Sequence, residues 1–394
     1  MIYWWILYII DAALFAGVVF TVAYIFIFSI AGLFNRRQVI PRAKRQNRFI
    51  VLIPSYKQDK VILKTVASIL GQTYPQRLFD VTVISDHQDE VTNMRLAQNP
   101  ITLLTPNFEQ STKAKSLQYA VLNLPEFKIY DIVVVLDASN IVEPEFLSQV
   151  NDAFEAAGTK AIQMHRLPLN LDTPSARLDA IFEEINNSIF RRGHIFVGLS
   201  AAMMGSGVAY DFNWYRENIM KVRSANEDKE LEALLMRQHV FIDYFDDIHV
   251  YDEKTREVKD FNRQRGRWAF SQFRGLFLNI KYLPVALFNR HYDWADKLVQ
   301  WMLIPRIMAV IIIFMMSIVL PFLYFSLVIK WWTVAFILGF AFAIATPNYL
   351  VGKNWDKDFL TLPIRSLCSM LKIDVPSFEL PKLSKLPFKF PGKK

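Results

Sequence analysis

Long apolar runs at both ends of the sequence constrain its fold more than any other feature. The first run covers residues 4–34 and is apolar except for Asp11. It exceeds the roughly 20 residues that cross a bilayer once, and it is too short for two crossings with a turn. We therefore predict one tilted transmembrane helix over residues 1–34.

Two further apolar runs, over residues 307–329 and 331–350, lie near the other end of the chain. Lys330 stands between them and is followed by two tryptophans, a composition typical of an interfacial turn. We predict two transmembrane helices over residues 306–350. After them, residues 351–394 are rich in proline and lysine, so we expect an interfacial and flexible cytoplasmic tail.

A shorter amphipathic pattern precedes these two runs. Trp294, Leu298 and Trp301 recur at roughly helical spacing among polar residues, and Pro305 follows them. The pattern predicts an amphipathic interfacial helix over residues 293–305 that lies on the membrane.

Basic residues follow the first apolar run, whereas none precedes it. They form a basic juxtamembrane linker over residues 35–48, with Arg36, Arg37, Arg42, Lys44, Arg45 and Arg48. Such an excess marks the cytoplasmic side, and a cleaved signal peptide would instead begin with a basic residue. We expect a multi-pass protein of the cytoplasmic membrane whose middle portion is cytoplasmic. The net charge of +8 then reflects contact with membrane lipids, and we expect no nucleic-acid partner.

The single cysteine, Cys368, excludes an internal disulfide and a structural zinc site built from thiolates. An apolar fraction of 53% exceeds the roughly 45 to 50% of soluble domains, which agrees with membrane segments. A reduced, cytosolic domain is consistent with the single cysteine.

The middle of the chain alternates strand-length apolar runs with helical stretches. The strands are predicted over residues 49–54, 81–85, 101–105, 132–136 and 161–164, and the helices over 60–70, 91–97, 113–122 and 144–157. Buried strands that alternate with helices indicate an α/β fold with a mostly parallel sheet.

Polar residues stand at the ends of three of these strands. Ser55 and Tyr56 follow the first, Asp86 follows the second, and Asp137 follows the fourth. Ligands of such sheets bind at the carboxyl ends of the strands, so these residues should face one crevice. The sequence contains neither a G-x-G-x-x-G turn after the first strand nor a P-loop, which argues against a dehydrogenase and a P-loop NTPase.

One short string connects this pattern to a known family. Residues 264–268 read Q-R-G-R-W, and the chain resembles the membrane-bound family 2 glycosyltransferases, which include cellulose, chitin and hyaluronan synthases. Further elements of the family occur in the expected order: I-P-S-Y at 53–56, Asp86, K-A at 113–114, D-A-S at 137–139, G-S-G at 205–207 and E-D at 227–228. The resemblance implies a GT-A fold, a Rossmann-like α/β domain, over residues 49–292, flanked by the transmembrane helices.

The resemblance also implies roles for individual residues. Asp228 would be the catalytic base. The donor nucleotide, with uridine the expected base, would contact Ser55, Tyr56, Asp86, Lys113 and Asp137. The diphosphate and the acceptor would contact Gln264, Arg267, Trp268, Gly205 and Ser206. On a helix, Arg263 and Arg265 should point elsewhere, and Arg166 is a further candidate for contact with the donor's phosphates.

Metal binding is the point at which the sequence departs from the family. The usual D-A-D reads Asp137-Ala138-Ser139, so a hydroxyl replaces the second carboxylate. Mg²⁺ or Mn²⁺ remains the expected cofactor, because hard cations often use one or two carboxylates together with phosphates and water. We expect weaker metal affinity, with Asp137 as the protein ligand.

Simpler interpretations remain open for several of these residues. Asp137 could cap the following helix, and Asp228 could be a solvated charge in the acidic run that begins at Glu227. Tyr56 could be a packed core aromatic. The Q-R-G-R-W helix could be a basic membrane-surface helix with Trp268 as its anchor.

The resemblance implies an inverting hexosyl- or N-acetylhexosaminyltransferase. It would move a sugar from a nucleotide diphosphate donor, expected to be a UDP-sugar, to a growing surface polysaccharide through a β-glycosidic bond. One alternative is a single addition to a membrane lipid, and another is a non-catalytic nucleotide-sugar-binding scaffold, motivated by Ser139. A polymerase with three spans would need a homo-oligomer or an export partner to shield the product from lipid.

Overall fold

An eight-stranded mixed sheet organises the middle of the chain in the computed structural model, which describes residues 2–34 and 39–350. Its strands are β1 Phe49–Tyr56, β2 Phe79–Asp86, β3 Thr102–Leu104, β4 Ile132–Val135, β5 Ile141–Val142, β6 Ala161–Pro168, β7 Val208–Asp211 and β8 Ile242–Asp252. The order across the sheet is β3-β2-β1-β4-β7-β6-β8-β5. Alternate side chains of β1 enter two apolar layers: Ile50 and Leu52 on one face, Phe49, Val51 and Ile53 on the other.

One half of the sheet is parallel, and the other half contains both parallel and antiparallel strand pairs. Strands β3, β2, β1 and β4 are parallel, whereas β7 is antiparallel to β4 and β6, and β5 is antiparallel to β8. The expectation of a mostly parallel sheet therefore holds for only one half. The sequence analysis missed β5, β7 and β8, because β5 and β7 are very short and β8 carries several acidic residues in its alternating pattern.

Helices cover the sheet and continue beyond it. They are α1 Ile2–Leu33, α2 Ile62–Leu70, α3 Glu90–Ala97, α4 Lys113–Leu122, α5 Phe146–Ala157, α6 Pro174–Asn187, α7 His194–Phe196, α8 Phe212–Ile219, α9 Glu227–Arg237, α10 Val258–Asn279, α11 Leu283–Phe288, α12 Tyr292–Met302, α13 Arg306–Leu323 and α14 Val328–Ala345. A π-helical turn, Ser188–Gly193, joins α6 to α7.

Within residues 2–34 and 39–350, three helices are long and apolar enough to cross a membrane: Trp5–Leu33, Arg306–Leu323 and Phe325–Ala345. They pack into an apolar cluster of their own, to which α6 contributes Ala180, Ile181 and Ile185. We call this the bundle cluster. Helix α6 thus belongs at once to the bundle and to the domain built on the sheet.

The one acidic residue of the first apolar run has partners inside the bundle. Asp11 is buried, pairs with Lys330, and accepts a hydrogen bond from Trp331 Nε1 at 2.8 Å. We expected Lys330 and Trp331 in a turn between two spans, but α14 begins earlier, at Val328, and Trp331 is fully buried. The ion pair compensates the charge of Asp11, since a lone charge inside an apolar bundle is costly.

Helix α12 differs from its prediction in what its apolar face contacts. Trp294, Leu298 and Trp301 are buried in one of the two apolar layers of the sheet domain. These side chains pack against protein, so they are not available to lipid, and the amphipathic pattern reflects a domain face. The predicted tail, residues 351–394, and residues 35–38 of the predicted linker lie outside the described residues.

Candidate active site

The candidate site begins where three parallel strands end side by side. Tyr56 at the end of β1 is in register with Asp86 at the end of β2, and Asp137 lies just beyond β4, the neighbour of β1 on the other side. All three predicted strand-end positions therefore open at the same edge of the sheet, as expected for a ligand crevice.

One end of this crevice presents a buried carboxylate with a free oxygen. Asp86 is 1% exposed, and its Oδ1 contacts His87 Nδ1. Its Oδ2 is buried and has no hydrogen-bond partner among the residues that the structure describes. Such an acceptor lacks only a donor, and an N–H group of a nucleobase ring would supply one.

Ser55 and Tyr56 flank this carboxylate in different ways. Ser55 is buried and its hydroxyl accepts a hydrogen bond from Gln88 Nε2. Tyr56 is 49% exposed, and its ring meets His87 edge-on with the ring centroids 5.7 Å apart. The alternative of Tyr56 as a packed core aromatic is therefore wrong, and the ring is available to a ligand.

The centre of the crevice is organised around Lys113, the first residue of α4. Its Nζ pairs with Asp137, donates to the carbonyl of Gly205 at 2.8 Å, and lies 3.6 Å from Glu227 Oε1. Four segments that are distant in sequence thus meet at one ammonium group. A Cβ atom on Gly205 would come within 3.2 Å of Lys113 Nζ and 3.3 Å of Glu227 Oε1, so this close approach favours glycine.

The pKa values of the two carboxylates that face Lys113 shift in opposite directions. Burial would raise the pKa of Asp137, but the charges of Lys113 and Arg166 and the hydrogen bond from Lys113 together outweigh burial and lower that pKa to about 2. At Glu227 burial prevails over Lys113, and the pKa rises to about 7. Asp137 is therefore ionised at neutral pH, whereas Glu227 exchanges its proton in that range.

Asp228 lies beside Glu227 at the start of α9. Its Cβ is 4.0 Å from the position that a Cβ on Gly205 would take, which places it next to the Lys113 cluster. Burial raises its pKa above the ordinary value, while Lys229 partly opposes this effect. Glu227 is 6% exposed and Glu232 is fully buried, so the acidic run is not the solvated helix start of the simpler interpretation.

The D-A-S segment is tied to a buried ion-pair network. Ser139 Oγ donates to Asp252 Oδ1 at 3.2 Å, and Asn140 Nδ2 donates to the same oxygen at 2.9 Å. Asp252 in turn pairs with Arg166 and Lys254. Glu183 of α6 pairs with the same two cations. Arg166 therefore has both carboxylates of this network as partners, and its contact with the donor's phosphates stays a prediction.

Asp137 does not cap a helix. Helix α5 begins only at Phe146, and its N-cap is Glu145, whereas the Asp137 carboxylate faces Lys113. An ionised oxygen ligand at the crevice fits Mg²⁺ or Mn²⁺, with the remaining positions taken by phosphates and water. Within residues 2–34 and 39–350, no group of three His, Cys, Asp or Glu side chains is placed to hold a metal without such help.

Helix α10 carries the Q-R-G-R-W string. Gln264 accepts a hydrogen bond from Thr255 Oγ1 at 3.2 Å, and Trp268 is 40% exposed. Arg267 is exposed. Contrary to expectation, Arg265 packs with Trp268, its guanidinium 4.7 Å from the ring centroid, and it pairs with Asp179 of α6 at 2.5 Å.

Ser206 is fully buried, and its carbonyl accepts a hydrogen bond from Gln163 Nε2 at 3.2 Å. Three residues that the sequence analysis gave no role also contribute to the site, namely Glu227, Arg265 and Asp252. Glu227 was visible as the neighbour of Asp228. Asp252 belongs to a strand that the analysis missed, and no local pattern marked it.

A parallel half-sheet whose strand ends hold a buried carboxylate with a free oxygen and a lysine–aspartate pair fits a GT-A fold. Residues 46–271, more than half of the chain, match the family model described as "Glycosyltransferase like family 2". The chain belongs to this family. No curated protein matches the sequence.

One solved structure agrees on the fold. The mannosyltransferase PcManGT from Pyrobaculum calidifontis, in complex with GDP-Man and Mn²⁺, has a TM-score of 0.56 at 14% identity, over 92% of this chain and 97% of its own. Residues 1-349 of TarS from S. aureus, in complex with UDP-GlcNAc, match at 14% identity over 83% of this chain and 92% of their own, with a TM-score of 0.39. Only the first match is strong enough to bear on the fold.

Proposed function

We propose that this chain transfers a sugar, with inversion, from a nucleotide diphosphate sugar to an acceptor at the cytoplasmic face of a membrane. The observation that carries the proposal is the convergence of Lys113, Asp137, Glu227 and Asp228 around Gly205, beyond the carboxyl ends of the parallel strands. This cluster offers a phosphate-binding cation, an oxygen ligand for a metal and two carboxylates of raised pKa in one crevice.

The donor would lie along the strand ends. Asp86 would accept a ring N–H of the base, and Lys113 would neutralise charge on the diphosphate. Uracil suits the free oxygen of Asp86, and a guanine N–H would also suit it, so a UDP-sugar is the first donor to test and a GDP-sugar the second. Asp137 would hold Mg²⁺ or Mn²⁺, which supplies further neutralisation of the leaving diphosphate.

Transfer would proceed in a single displacement. Asp228 accepts the proton of the acceptor hydroxyl, whose oxygen bonds to the anomeric carbon while the bond from that carbon to the diphosphate oxygen breaks. The nucleotide diphosphate leaves with the bonding electron pair. One base and one displacement invert the anomeric carbon, so an α-linked donor yields a β-linked product. We assign Gln264, Arg267 and Trp268 to the diphosphate and acceptor end.

The acceptor is the point at which two functions compete. Synthesis of a surface polysaccharide, as in the cellulose, chitin and hyaluronan synthases, is favoured by the Q-R-G-R-W string. Single addition to a membrane lipid is favoured by the bundle cluster, in which apolar side chains of α1, α13 and α14 fill the space between the helices. A polymer would therefore need a second copy or an export partner to cross the bilayer.

The membrane placement is part of the proposal. The three apolar helices would span the bilayer, the basic residues after α1 would face the cytoplasm, and residues 49–292 would form the catalytic domain on that side. Residues 293–305 would connect the domain to the second and third spans.

Product analysis tests the proposal directly. The full chain in nanodiscs would be supplied with UDP- and GDP-sugars and Mn²⁺, with Asp228→Asn as the inactive control. A sugar ladder would identify a polymerase, and one sugar on extractable lipid would identify lipid glycosylation. Absence of turnover with every donor, while nucleotide binding persists, would refute the proposal in favour of a binding scaffold.

A further inference from the structure

Two arginines share one aromatic ring where the apolar bundle meets the crevice. The guanidinium groups of Arg265 on α10 and Arg306 on α13 lie 5.0 Å and 5.3 Å from the ring centroid of Phe182 on α6. Arg306 is close enough to Arg265 for the two charges to repel. We call these two side chains the arginine pair.

The arginine pair has one carboxylate for two positive charges. Asp179 pairs with Arg265 at 2.5 Å. Arg306 donates only to neutral oxygens, Asn186 Oδ1 at 2.7 Å and the Phe182 carbonyl at 3.4 Å. No described carboxylate lies within ion-pair distance of Arg306. A cation removed from water without a counter-charge is costly, so the site is incomplete as it stands.

Each arginine also retains an unused donor. Arg306 Nη1 and Arg265 Nε are both buried, and neither has an acceptor among the residues that the structure describes. Guanidinium groups present several N–H donors in a fixed plane, and a phosphate has oxygens enough to meet donors from both arginines. The missing component is therefore an anion with several oxygens.

The position of the arginine pair shows from which side such an anion would come. Arg306 is the first residue of α13, and just before it Ile304 N donates to Thr21 Oγ1 of α1 at 3.1 Å, which fixes the start of this helix against the bundle. On the opposite side, Arg265 packs under the half-exposed ring of Trp268. The pair thus lies between membrane-spanning helices and the proposed acceptor end of the site.

We propose that the arginine pair binds the phosphate of an anionic membrane lipid and holds its headgroup beneath Trp268. The proposed phosphate binding depends only on the missing counter-charge of Arg306 and on the unused donors of both arginines. The assignment of that lipid as the sugar acceptor rests on the proposed function, because it requires transfer at Asp228. A free phosphate has the same chemistry as the headgroup, so the experiment must separate the two sources.

Lipid retention measured by native mass spectrometry tests the binding step without turnover. The full chain, delipidated in detergent, would be titrated with phosphatidic acid, with diacylglycerol of the same acyl chains, and separately with inorganic phosphate. We expect phosphatidic acid to bind and diacylglycerol not to bind. Arg306→Gln should weaken phosphatidic acid binding by roughly tenfold or more, because a charge-assisted hydrogen bond is lost.

Matched variants make this result specific. Arg274→Gln removes an exposed arginine from the same helix α10 and should leave phosphatidic acid binding unchanged. Arg306→Lys keeps the charge and should recover part of the affinity. Arg265→Gln combined with Asp179→Asn removes both members of the internal pair and should also weaken binding. Nucleotide binding by each variant reports that the domain is folded.

Three results would overturn the proposal: equal retention of phosphatidic acid and diacylglycerol, equal binding by the unmodified chain and Arg306→Gln, or displacement of the lipid by inorganic phosphate at equimolar concentration. These outcomes are distinguishable from failure of the proposed function. If the chain binds phosphatidic acid through Arg306 but transfers no sugar, the proposed lipid site is supported and the proposed sugar transfer is refuted.

Discussion

At the scale of single residues, the site depends on which carboxylate holds a proton. Asp228 must be ionised to accept a proton from the acceptor. We predict that Asp228→Asn reduces the transfer rate by roughly 10² to 10⁴-fold, the range that a positioned general base contributes. Product formation and nucleotide affinity, measured on the same preparation, check this. Equal loss of both would point to a structural role instead.

Glu227 supplies a second test because its burial raises its pKa to about 7. A carboxyl group whose pKa is higher in the folded state holds its proton more strongly there than in the unfolded chain. Its contribution to stability therefore falls as pH rises from about 4.5, the ordinary Glu value, to about 7. We predict that Glu227→Gln raises the thermal unfolding midpoint relative to the unmodified chain at pH 8 and not at pH 4. The same difference at both pH values would contradict this account.

Ser139 is the residue at which metal use can be tested. The D-A-D pattern has a carboxylate at this position. Here a serine hydroxyl stands in its place and donates a hydrogen bond to Asp252. Ser139→Asp adds an oxygen ligand with charge, and we expect Mn²⁺ affinity in the presence of nucleotide to rise by roughly tenfold. Ser139→Asn, which adds similar volume without charge, is the control. Unchanged affinity in Ser139→Asp would indicate that Asp252 or Arg166 already determines the local charge.

The sequence predicted the residues at strand ends and missed those that meet through tertiary contact. Asp86 and Asp137 were predictable because a polar residue after a buried strand has a known position in a parallel sheet. The contact of Glu227 with Lys113 joins positions more than a hundred residues apart in sequence, and the roles of Arg265 and Arg306 depend on one ring of α6. No local periodicity encodes such meetings.

At the scale of elements, amphipathic spacing predicted that α12 is a helix but not what its apolar face contacts. The spacing places Trp294, Leu298 and Trp301 on one face of the helix. An apolar face of this kind can pack against lipid or against a protein core. These three side chains pack in the core of the sheet domain and not against lipid. Short strands such as β7 could not be predicted for a different reason: four residues are too few to establish a hydrophobic period.

The packing of α1 against the π-helical turn gives a prediction for one glycine. A Cβ on Gly193 would lie 2.3 Å from the Phe28 carbonyl oxygen, so α1 would have to move away from the turn. We expect Gly193→Ala to destabilise the folded chain by about 1–3 kcal/mol, as overpacking does. Thermal unfolding in detergent measures this. Gly339→Ala in α14, where a Cβ would meet nothing within 4 Å, is the matched control and should be neutral or slightly stabilising.

At the scale of the whole molecule, the sheet domain and the bundle share α6, so we expect neither to fold without the other. A fragment of residues 49–292 would lose α1, α13 and α14, and with them the partners of Ala180, Ile181 and Ile185. It would also lose most of α12, which fills one layer of the sheet domain. We predict that this fragment aggregates when expressed alone, as measured by soluble yield and size-exclusion chromatography.

A longer fragment, residues 39–302, restores α12 and isolates the effect of the α6 face. Ile181→Gln combined with Ile185→Gln should raise its soluble yield, because those side chains would otherwise be exposed as an apolar patch. A monomeric, nucleotide-binding fragment of residues 49–292 would show that the sheet domain is independent after all.

The shared helix α6 also sets the distance between the sheet and the bundle. Asp179 and Glu183 on α6 hold Arg265 and the D-A-S network in place, while Ile181 and Ile185 pack into the bundle. One helix therefore holds the sheet at a set distance from the apolar bundle. Under the proposed function, α6 would set how far the donor site stands above the membrane, and an acceptor hydroxyl would have to reach that height before any contact distinguishes its sugar or headgroup.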